Sequence, residues 1–368
     1  MFRVLSASGE EAGQWSSYVR NLAQGDRDIH FLPEYGKIYQ ETYGYEPLLA
    51  CYEDGDGFVV QPFVKRPLGG LPFLEGQEAG DQYIDIANAY GHGGPLWQCA
   101  DAGRTPRLLR EYDRCFRAYC EENRVASEFT SLHPLLERQR ALLDLHLIHA
   151  TWQKDVVYID LAVSEEEMWG NLRKGHKSSV KKAVRKGVRI EKMEATPESF
   201  GVLNRLYYET MERNKAADRW HFPEGYFRNC YELLGEEKIS LFVALVGSVP
   251  AAACIIMHGF DTVYYHFSGS DERFFDYCAN NLMVYEIALW ARRKGYLRFF
   301  LGGGVSSSPQ DSLFIFKSGF SSRRPPLYTY GRVHHGETYE RLCSLKRTFE
   351  KATTGSENES DYFPLYRR

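Results

Sequence analysis

The sequence predicts an α/β (α+β) protein of two domains, each built on a mixed β-sheet flanked by helices. The length of 368 residues exceeds what one ordinary hydrophobic core accommodates. In the second half, two helical segments precede a β-hairpin, and a strand, a helix and a further strand follow it, an order that is typical of a mixed sheet. The clearest boundary lies near residue 150. We therefore expect domains at 1–150 and 151–350 and a polar tail at 351–368.

The composition is that of a folded protein from a reducing compartment. Apolar residues make up 43% of the chain and charged residues 26%. The net charge of −4 means that any contact with nucleic acid would need a local patch. None of the eight cysteines forms a CxxC pair, which argues against structural zinc and disulfides. Because the chain shows neither a signal peptide nor a membrane-spanning segment, a cytoplasmic location is expected.

The predicted elements of the first half begin with a helix at 10–22. Two strands, at 48–52 and 58–64, flank a turn rich in glycine and aspartate, and this pattern predicts a hairpin. A stretch rich in glycine and proline separates the hairpin from the last three elements of this half. These are a helix, a strand and a second helix, at 106–123, 126–132 and 133–143.

The elements of the second half include one helix that differs from the others in its charge. Strands are predicted at 155–161 and 188–193, in a hairpin over 239–257, and at 262–268 and 297–301. Helices are predicted at 165–172, 174–186, 197–214, 224–234 and 280–294. The helix at 174–186 is strongly basic.

The basic helix and its flanks, residues 173–189, contain no acidic residue. Leu172, Val180, Ala183 and Val184 form its narrow apolar face. This density of positive charge suits a polyanion such as the acceptor arm of tRNA, but it also fits a solvated helix face, and the pattern leaves both readings open. The cationic positions are Arg173, Lys174, His176, Lys177, Lys181, Lys182, Arg185, Lys186 and Arg189.

Four stretches of the second half resemble the Fem family of peptidoglycan-bridge aminoacyltransferases and related Fem-like acyltransferases. They are LRKGHKSSVKKAVRKGVRI, LYYETMERN, YYHFSGSDERFFDYCANNLMVYEIALWARRKGY, and RFFLGGG followed by DSLFIFKSGF. Weaker similarities occur at FLPEYGKIYQ, YGHGGPLW and EFTSLHPLL. The resemblance implies two domains like those of the GCN5-related N-acetyltransferases (GNATs). It also implies an enzyme of cell-envelope biosynthesis that transfers an acyl or aminoacyl group to an amine.

The same resemblance implies roles for residues around the Gly-Gly-Gly segment. It places Lys317 near the reacting ester, where a fixed cation would stabilise the developing oxyanion; the alternative is a surface lysine on an amphipathic strand. Phe316 would line the donor channel, or it packs in the core. Gly303 would approach the donor through its backbone, or it serves a tight turn. Lys181, Lys182 and Arg185 would contact a tRNA donor.

The acceptor side is assigned to three residues. By the resemblance, Arg213 and Lys37 would grip the diphosphate of a nucleotide-linked acceptor, although each could be an ordinary surface charge. Tyr265 lies on the strand that lines the family's cleft, and because strand residues alternate, Tyr264 and Tyr265 cannot both face the ligand. Asp85 and Asp81 are candidates for the general base, and the sequence does not choose between them.

The identity of the donor leaves three hypotheses. Acetyltransferases of this fold bind coenzyme A through a glycine-rich loop, and the corresponding stretch here, SGSDERFFDYCANN, lacks those glycines. Aminoacyl-tRNA is therefore the preferred donor, and no bound metal or cofactor is expected. The alternatives are acyl transfer from coenzyme A or a carrier protein to an amino sugar of a surface polysaccharide, and a non-catalytic RNA-binding module. The RNA-recognition signature that would support the last hypothesis is missing.

Overall fold

The computed structural model describes residues 1–75, 82–355 and 362–367. The chain forms two compact units. The first comprises Met1–Asp26, His30–Gln153 and Leu327–Arg368, and the second comprises Arg27–Ile29 and Lys154–Pro326. The change of unit after Gln153 lies close to the boundary predicted near 150. The C-terminal segment differs from the prediction, which assigned 327–350 to the second domain.

The two β-sheets take their strands from both ends and the middle of the chain. The strands are β1 Phe2–Ser6, β2 Glu46–Glu53, β3 Gly57–Pro67, β4 Ile84–Ala87, β5 Leu96–Cys99, β6 Val125–Ser131, β7 Ala150–Asp155, β8 Val157–Asp160, β9 Val188–Met193, β10 Ile239–Val246, β11 Val249–Gly259, β12 Thr262–Ser270, β13 Arg298–Gly302 and β14 Pro326–Val333. One sheet has the order β1-β2-β3-β4-β6-β14-β7, with β5 paired to β3, and the other has the order β8-β13-β12-β11-β10-β9.

Helices flank both sheets, so the predicted α/β class with mixed sheets is confirmed. In the described parts of the chain the α-helices are α1 Gly9–Asn21, α2 Pro33–Tyr43, α3 Thr105–Glu122, α4 Ala141–Asp144, α5 Glu165–Asn171, α6 Lys174–Arg185, α7 Pro197–Arg213, α8 Tyr226–Leu234, α9 Ala279–Arg293, α10 Ser312–Ser318 and α11 Gly336–Thr354. The described helices include none that is both long enough and apolar enough to cross a bilayer.

The core of the first unit lies between its sheet and the amphipathic helix α3. Leu108, Leu109, Tyr112 and Phe116 lie on the buried face of that helix and pack in one cluster with strand residues such as Phe63. Their spacing of three and four residues is the reason that a single face of the helix is apolar.

The C-terminal segment belongs to the first unit because β14 pairs with β6 in antiparallel register, from Thr329 opposite Ser131 to Val333 opposite Ser127. Further along, the buried hydroxyl of Tyr366 is hydrogen-bonded to Ser127 at 2.6 Å. Residues 351–368 are therefore not simply the predicted polar tail. Residues 356–361 of that tail lie outside the described residues.

The sheet of the second unit contains a point at which two strands stop pairing. β12 and β13 run parallel, and their register comprises three pairs, from Thr262 with Arg298 to Tyr264 with Phe300. β12 nevertheless continues to Ser270. Beyond Tyr264, β12 remains paired with β11 up to Ser270 but is no longer paired with β13.

Helix α7 approaches β12 closely at Gly269. A Cβ atom at that glycine would collide with the backbone of Leu206 and Tyr207 in α7. The residue must therefore be glycine for the helix to reach the strand. This close approach brings the C-terminal turn of α7 to the end of β12, beside Ser270.

Candidate active site

Lys317 lies in the last turn of the short helix α10, not on the amphipathic strand that was the alternative from sequence. The helix begins where the Asp311 carboxylate accepts a hydrogen bond from the backbone N–H of Phe314 at 2.9 Å. This N-cap is a standard way to start a helix, because the first N–H groups have no partner within the helix. The Nζ atom of Lys317 then donates to the carbonyl oxygen of Gly303 at 2.8 Å.

The amino group of Lys317 is buried, and its proton is correspondingly weakly held. Burial and, to a smaller extent, the positive charge of Lys154 lower its pKa to about 7, while the Asp311 carboxylate opposes both effects. Burial dominates because an ammonium ion loses its hydration in a protein interior. At neutral pH, ammonium and amine forms of Lys317 are therefore both well populated.

The glycine turn, Gly302–Gly304, is held by tight packing around each residue. Gly302 has φ of 77°, which favours glycine. A Cβ atom on Gly303 would lie 2.7 Å from Cδ of Lys154, and one on Gly304 would collide with the Asp311 carboxylate. Glycine is therefore required at these positions, because the side chains of Lys154 and Asp311 lie against the backbone. The carbonyl group of Gly303 accepts the hydrogen bond from Lys317.

Phe316 lines a cavity of about 200 Å³ in the second unit. Its carbonyl group is 2.8 Å from Nε2 of His176 on α6, and the His176 ring packs edge-on against Phe320. Burial lowers the pKa of His176, so its neutral form is favoured. α6 thus supports the helix that carries both Phe316 and Lys317.

The opposite wall of the cavity is formed by the end of β12 and the start of α9. Ser270, Phe275 and Cys278 line it, and α9 begins at Ala279. The N-terminal end of a helix presents unpaired N–H groups and partial positive charge, so this wall favours an anionic or carbonyl group. The side-chain oxygen of Asn280, also at the cavity, is buried without a hydrogen-bond partner among the described residues.

Arg213 lies beside the same cavity. Its guanidinium donates to the Ser270 carbonyl at 3.1 Å and to the Thr210 hydroxyl at 3.2 Å, and it lies over the Phe275 ring with a centroid distance of 5.0 Å. The Thr210 hydroxyl in turn accepts from the backbone N–H of Ser270 at 2.9 Å. These contacts hold the Arg213 side chain against the cavity wall.

Tyr264 and Tyr265 point to opposite faces of the sheet, as strand alternation predicts. The Tyr264 hydroxyl donates to the buried carboxylate of Asp28, and its ring packs near Phe300. The ring of Tyr265 packs on the other face against Phe299. Burial raises the pKa of the Tyr265 hydroxyl, so it keeps its proton.

Comparisons with known proteins identify a family model and a relative that resemble this chain. Residues 170–308 match the model of the family described as "Acetyltransferase (GNAT) domain". The UDP-N-acetylmuramoylpentapeptide-lysine N(6)-alanyltransferase of Weissella viridescens is 24% identical over 318 residues, which cover 80% of this chain and 88% of that protein. The chain is therefore similar to Fem-type enzymes of the GNAT fold, and these matches support an acyltransferase.

Two solved structures share the fold of this chain. The crystal structure of FemX superposes with a TM-score of 0.63 at 14% identity and covers 87% of this chain and 95% of its own. A tandem GNAT protein from the clavulanic acid biosynthesis pathway gives a TM-score of 0.51 at 9% identity, covering 90% of this chain and 98% of its own. The GNAT-like fold that the resemblance implied is confirmed. Lys317 lies beyond the residues that the family model matches.

The basic helix α6 carries two kinds of cation. Lys182 and Lys186 both form ion pairs with Asp276, which lies just before α9. Lys181 lies over the Trp169 ring with a centroid distance of 5.8 Å, and Arg185 is exposed. The sequence pattern missed the acid because Asp276 is distant along the chain. Of the three cations assigned to a tRNA donor, Lys182 is already neutralised.

Two further candidates of the acyltransferase, Lys37 and Asp85, belong to the first unit. Lys37 lies half-buried on α2. The carboxylate of Asp85 is fully buried and accepts hydrogen bonds from Arg66, at 2.7 Å, and from Arg367. Because two guanidinium groups already occupy its oxygens, this arrangement favours a structural ion pair over the general base suggested from sequence. Asp81, the alternative base, lies outside the described residues.

Proposed function

We propose that this acyltransferase moves an aminoacyl group from aminoacyl-tRNA to an amine of a peptidoglycan-precursor-like or peptide acceptor. The observation that carries the proposal is the buried amine of Lys317, which is held on the Gly303 carbonyl and follows directly after Phe316, a residue that lines the cavity. The Weissella viridescens relative supports it, since that protein is named as an alanyltransferase acting on the lysine of UDP-N-acetylmuramoylpentapeptide.

The chemistry requires one bond to form and one to break. The acceptor nitrogen forms an amide bond to the carbonyl carbon of the donor ester, and the ester C–O bond breaks. The proton lost by the amine goes to the leaving hydroxyl group of the tRNA terminus. Between these events the carbonyl oxygen carries negative charge, and the ammonium form of Lys317 would stabilise that charge in a site largely removed from water.

The donor is assigned to tRNA on the evidence of α6. Lys181 lies seven residues after Lys174, and Arg185 lies four residues after Lys181, so the three share one face of the helix. Among the described residues, none of the three forms an ion pair with an acidic side chain. A row of unneutralised cations of this kind follows a phosphate backbone well, and His176 on the same helix connects it to Phe316.

The acceptor is assigned to the region of Arg213. A diphosphate would gain from the guanidinium N–H groups that remain after the bonds to Ser270 and Thr210. Tyr265 remains proposed as a contact to the acceptor, and Lys37 as a phosphate-binding residue of the first unit. Asp85 is not carried into this mechanism.

Donor competition tests the proposal. The protein would be incubated with UDP-N-acetylmuramoylpentapeptide as acceptor and with either alanyl-tRNA or acetyl-coenzyme A, each labelled in its acyl group. Label is expected to reach the acceptor from alanyl-tRNA only. Transfer from acetyl-coenzyme A with none from alanyl-tRNA would overturn the tRNA assignment.

A second candidate donor is favoured by one feature of the cavity. The start of α9 faces it, and helix N-termini bind phosphate groups well. Acyl-coenzyme A could therefore serve as donor, with an amino sugar of a surface polysaccharide as acceptor. One observation weakens this alternative: the cavity wall contains Asp271, Phe274 and Phe275 in place of a glycine-rich loop.

A further inference from the structure

Two lysines hold the same glycine turn. The Nζ atom of Lys317 donates to the carbonyl oxygen of Gly303 at 2.8 Å. The Nζ atom of Lys154, at the end of β7, donates to the carbonyl oxygens of Gly304 at 2.8 Å and Val305 at 3.1 Å. Three consecutive carbonyl groups are therefore bound by two cationic side chains from distant parts of the sequence.

The turn is enclosed on both sides. The stem of Lys154 lies so close that a Cβ atom on Gly303 would be 2.7 Å from its Cδ atom. On the other side, the Asp311 carboxylate accepts from the backbone N–H of Ser306 at 3.0 Å and from its hydroxyl at 3.1 Å. Because Asp311 also caps α10, a displacement of the turn would be transmitted to the helix that carries Lys317.

The two amino groups also interact through their charges. Lys154 and Asp311 are the charged groups that act on the Lys317 amine, the first lowering its pKa and the second raising it. Burial lowers the pKa of Lys154, Asp311 opposes that effect, and the positive charge of Arg219 adds to it. His176, on the neighbouring helix, contacts the Phe316 carbonyl. Lys154 is therefore the neighbouring cation whose removal should change Lys317 most.

We propose that Lys154 is a positioning residue for acyl transfer: it fixes the glycine turn that receives the Lys317 amine and places a second positive charge beside that amine. The effect on turnover rests on the proposed function of Lys317. The effect on the proton equilibrium of Lys317 does not, because it can be measured without any substrate.

Competitive labelling with trace acetic anhydride between pH 5 and 10 would measure that equilibrium. Mass spectrometry of the peptide containing Lys317 gives its titration midpoint. Lys154→Met should raise the midpoint by about one pH unit, because a nearby like charge is lost. Lys154→Arg, which keeps the charge and donors, should leave it near the wild-type value, as should the control Lys294→Met on the exposed end of α9.

Turnover of alanyl-tRNA with UDP-N-acetylmuramoylpentapeptide gives the second readout. Lys154→Met should lower kcat roughly 10- to 100-fold with little change in KM, since a displaced turn misplaces Lys317. Lys154→Arg should recover most of that loss. Should Lys154→Met fail to fold, Lys154→Gln removes the charge while retaining a donor, and the same shift in midpoint is expected.

Wild-type midpoint and kcat in both neutral variants would overturn the inference. The proposed function fails separately, if Lys317→Met itself turns over normally. In that case the labelling experiment still decides whether Lys154 controls the Lys317 amine.

Discussion

At the scale of single residues, the amine of Lys317 carries the most specific expectation. Lys317→Met keeps the length of the side chain and removes its charge and hydrogen bond to Gly303. If Lys317 stabilises an oxyanion, kcat should fall by about 10²–10³, the usual loss for one such donor. In the wild type, kcat should decline as pH rises through about 7, because the ammonium form is lost. Steady-state kinetics with alanyl-tRNA measures both effects.

The matched control is Lys294→Met, which removes an exposed lysine of the same unit. Near-normal turnover in a correctly folded Lys317→Met protein would contradict the assignment. A rate that rises with pH through about 7 would instead indicate that the neutral amine of Lys317 acts as a base.

The same residue predicts a dependence of stability on pH. The pKa of Lys317 falls from 10.5 to about 7 on folding, so the unfolded chain binds more protons between these values. The buried lysine therefore costs stability at pH 7 and below, and this cost disappears as the pH rises towards 10.5. Lys317→Met should be more stable than wild type by up to a few kcal/mol, on the order of one for each unit of pKa change. Urea denaturation at pH 7 and pH 10 measures the difference in free energy of unfolding between Lys317→Met and the wild type, and this difference should be smaller at pH 10.

The residues of this site were accessible from sequence to different degrees. Lys317, Phe316 and Gly303 were singled out from sequence, and the structure places the Lys317 amine on the Gly303 carbonyl and Phe316 at the cavity. Lys154 and Asp276 were not singled out from sequence, because each acts through a partner that lies far along the chain. A sequence pattern reports neighbours at helical or strand spacing, and it is silent on side chains that meet only after folding.

At the scale of elements, helix α6 predicts how the protein responds to salt. Changing Lys174, Lys181 and Arg185 together to glutamine removes cations that share one face and pair with no described acid. If they contact tRNA phosphates, the slope of log K against log salt should decrease by about two to three, since each contact contributes roughly 0.7 to 0.9. Filter binding of tRNA at several salt concentrations measures the slope.

The control for that prediction lies on the same helix. Lys182→Gln with Lys186→Gln removes two cations already paired with Asp276, so the slope should change much less. Equal slopes for both variants and the wild type would indicate that α6 is only a solvated helix face.

Long periodic elements were predicted well and short ones poorly. The basic helix was predicted at 174–186 and spans Lys174–Arg185, and the hairpin strands near 48–52 and 58–64 are β2 and β3. Helix α10 was missed because its few apolar residues fit a strand equally well. Its N-cap at Asp311 decides for the helix, and a side-chain hydrogen bond of that kind is not visible in an apolar pattern.

At the scale of the whole molecule, the boundary near 150 could be predicted because the order of elements restarts there. The return of 327–368 to the first unit could not, because it depends on β14 pairing with β6, a strand distant in sequence. A charged network accompanies this pairing. Arg332 of β14 donates to Asp113 at 2.9 Å and lies 3.4 Å from the buried carboxylate of Glu128.

The network predicts where a single substitution will destabilise the protein. Arg332→Met removes the cation opposite Glu128, whose side chain is 1% exposed, and leaves this buried carboxylate without its arginine partner. Breaking one partner of such a pair typically costs about 3–5 kcal/mol. Hydrogen exchange should therefore accelerate in β4, β6 and β14 of the first unit, while the β10–β11 hairpin of the second unit keeps its protection.

The pH dependence of stability distinguishes the loss of the Arg332–Glu128 ion pair from a simple loss of packing. The Arg332 charge and hydrogen bonds from His334 and Tyr330 outweigh burial and lower the pKa of Glu128 to about 2 from 4.5. A depressed carboxyl pKa stabilises the fold fully above 4.5, and that stabilisation is lost as the pH falls towards 2. The stability difference between wild type and Arg332→Met should consequently be largest near neutral pH and shrink below pH 4.5.

The control, Arg323→Met, breaks an exposed pair with Asp160 in the second unit and should cost less than about 1 kcal/mol. A pH-independent difference in urea denaturation would show that Arg332 acts by packing alone, and uniform acceleration of exchange in both units would show that their stabilities are not separate.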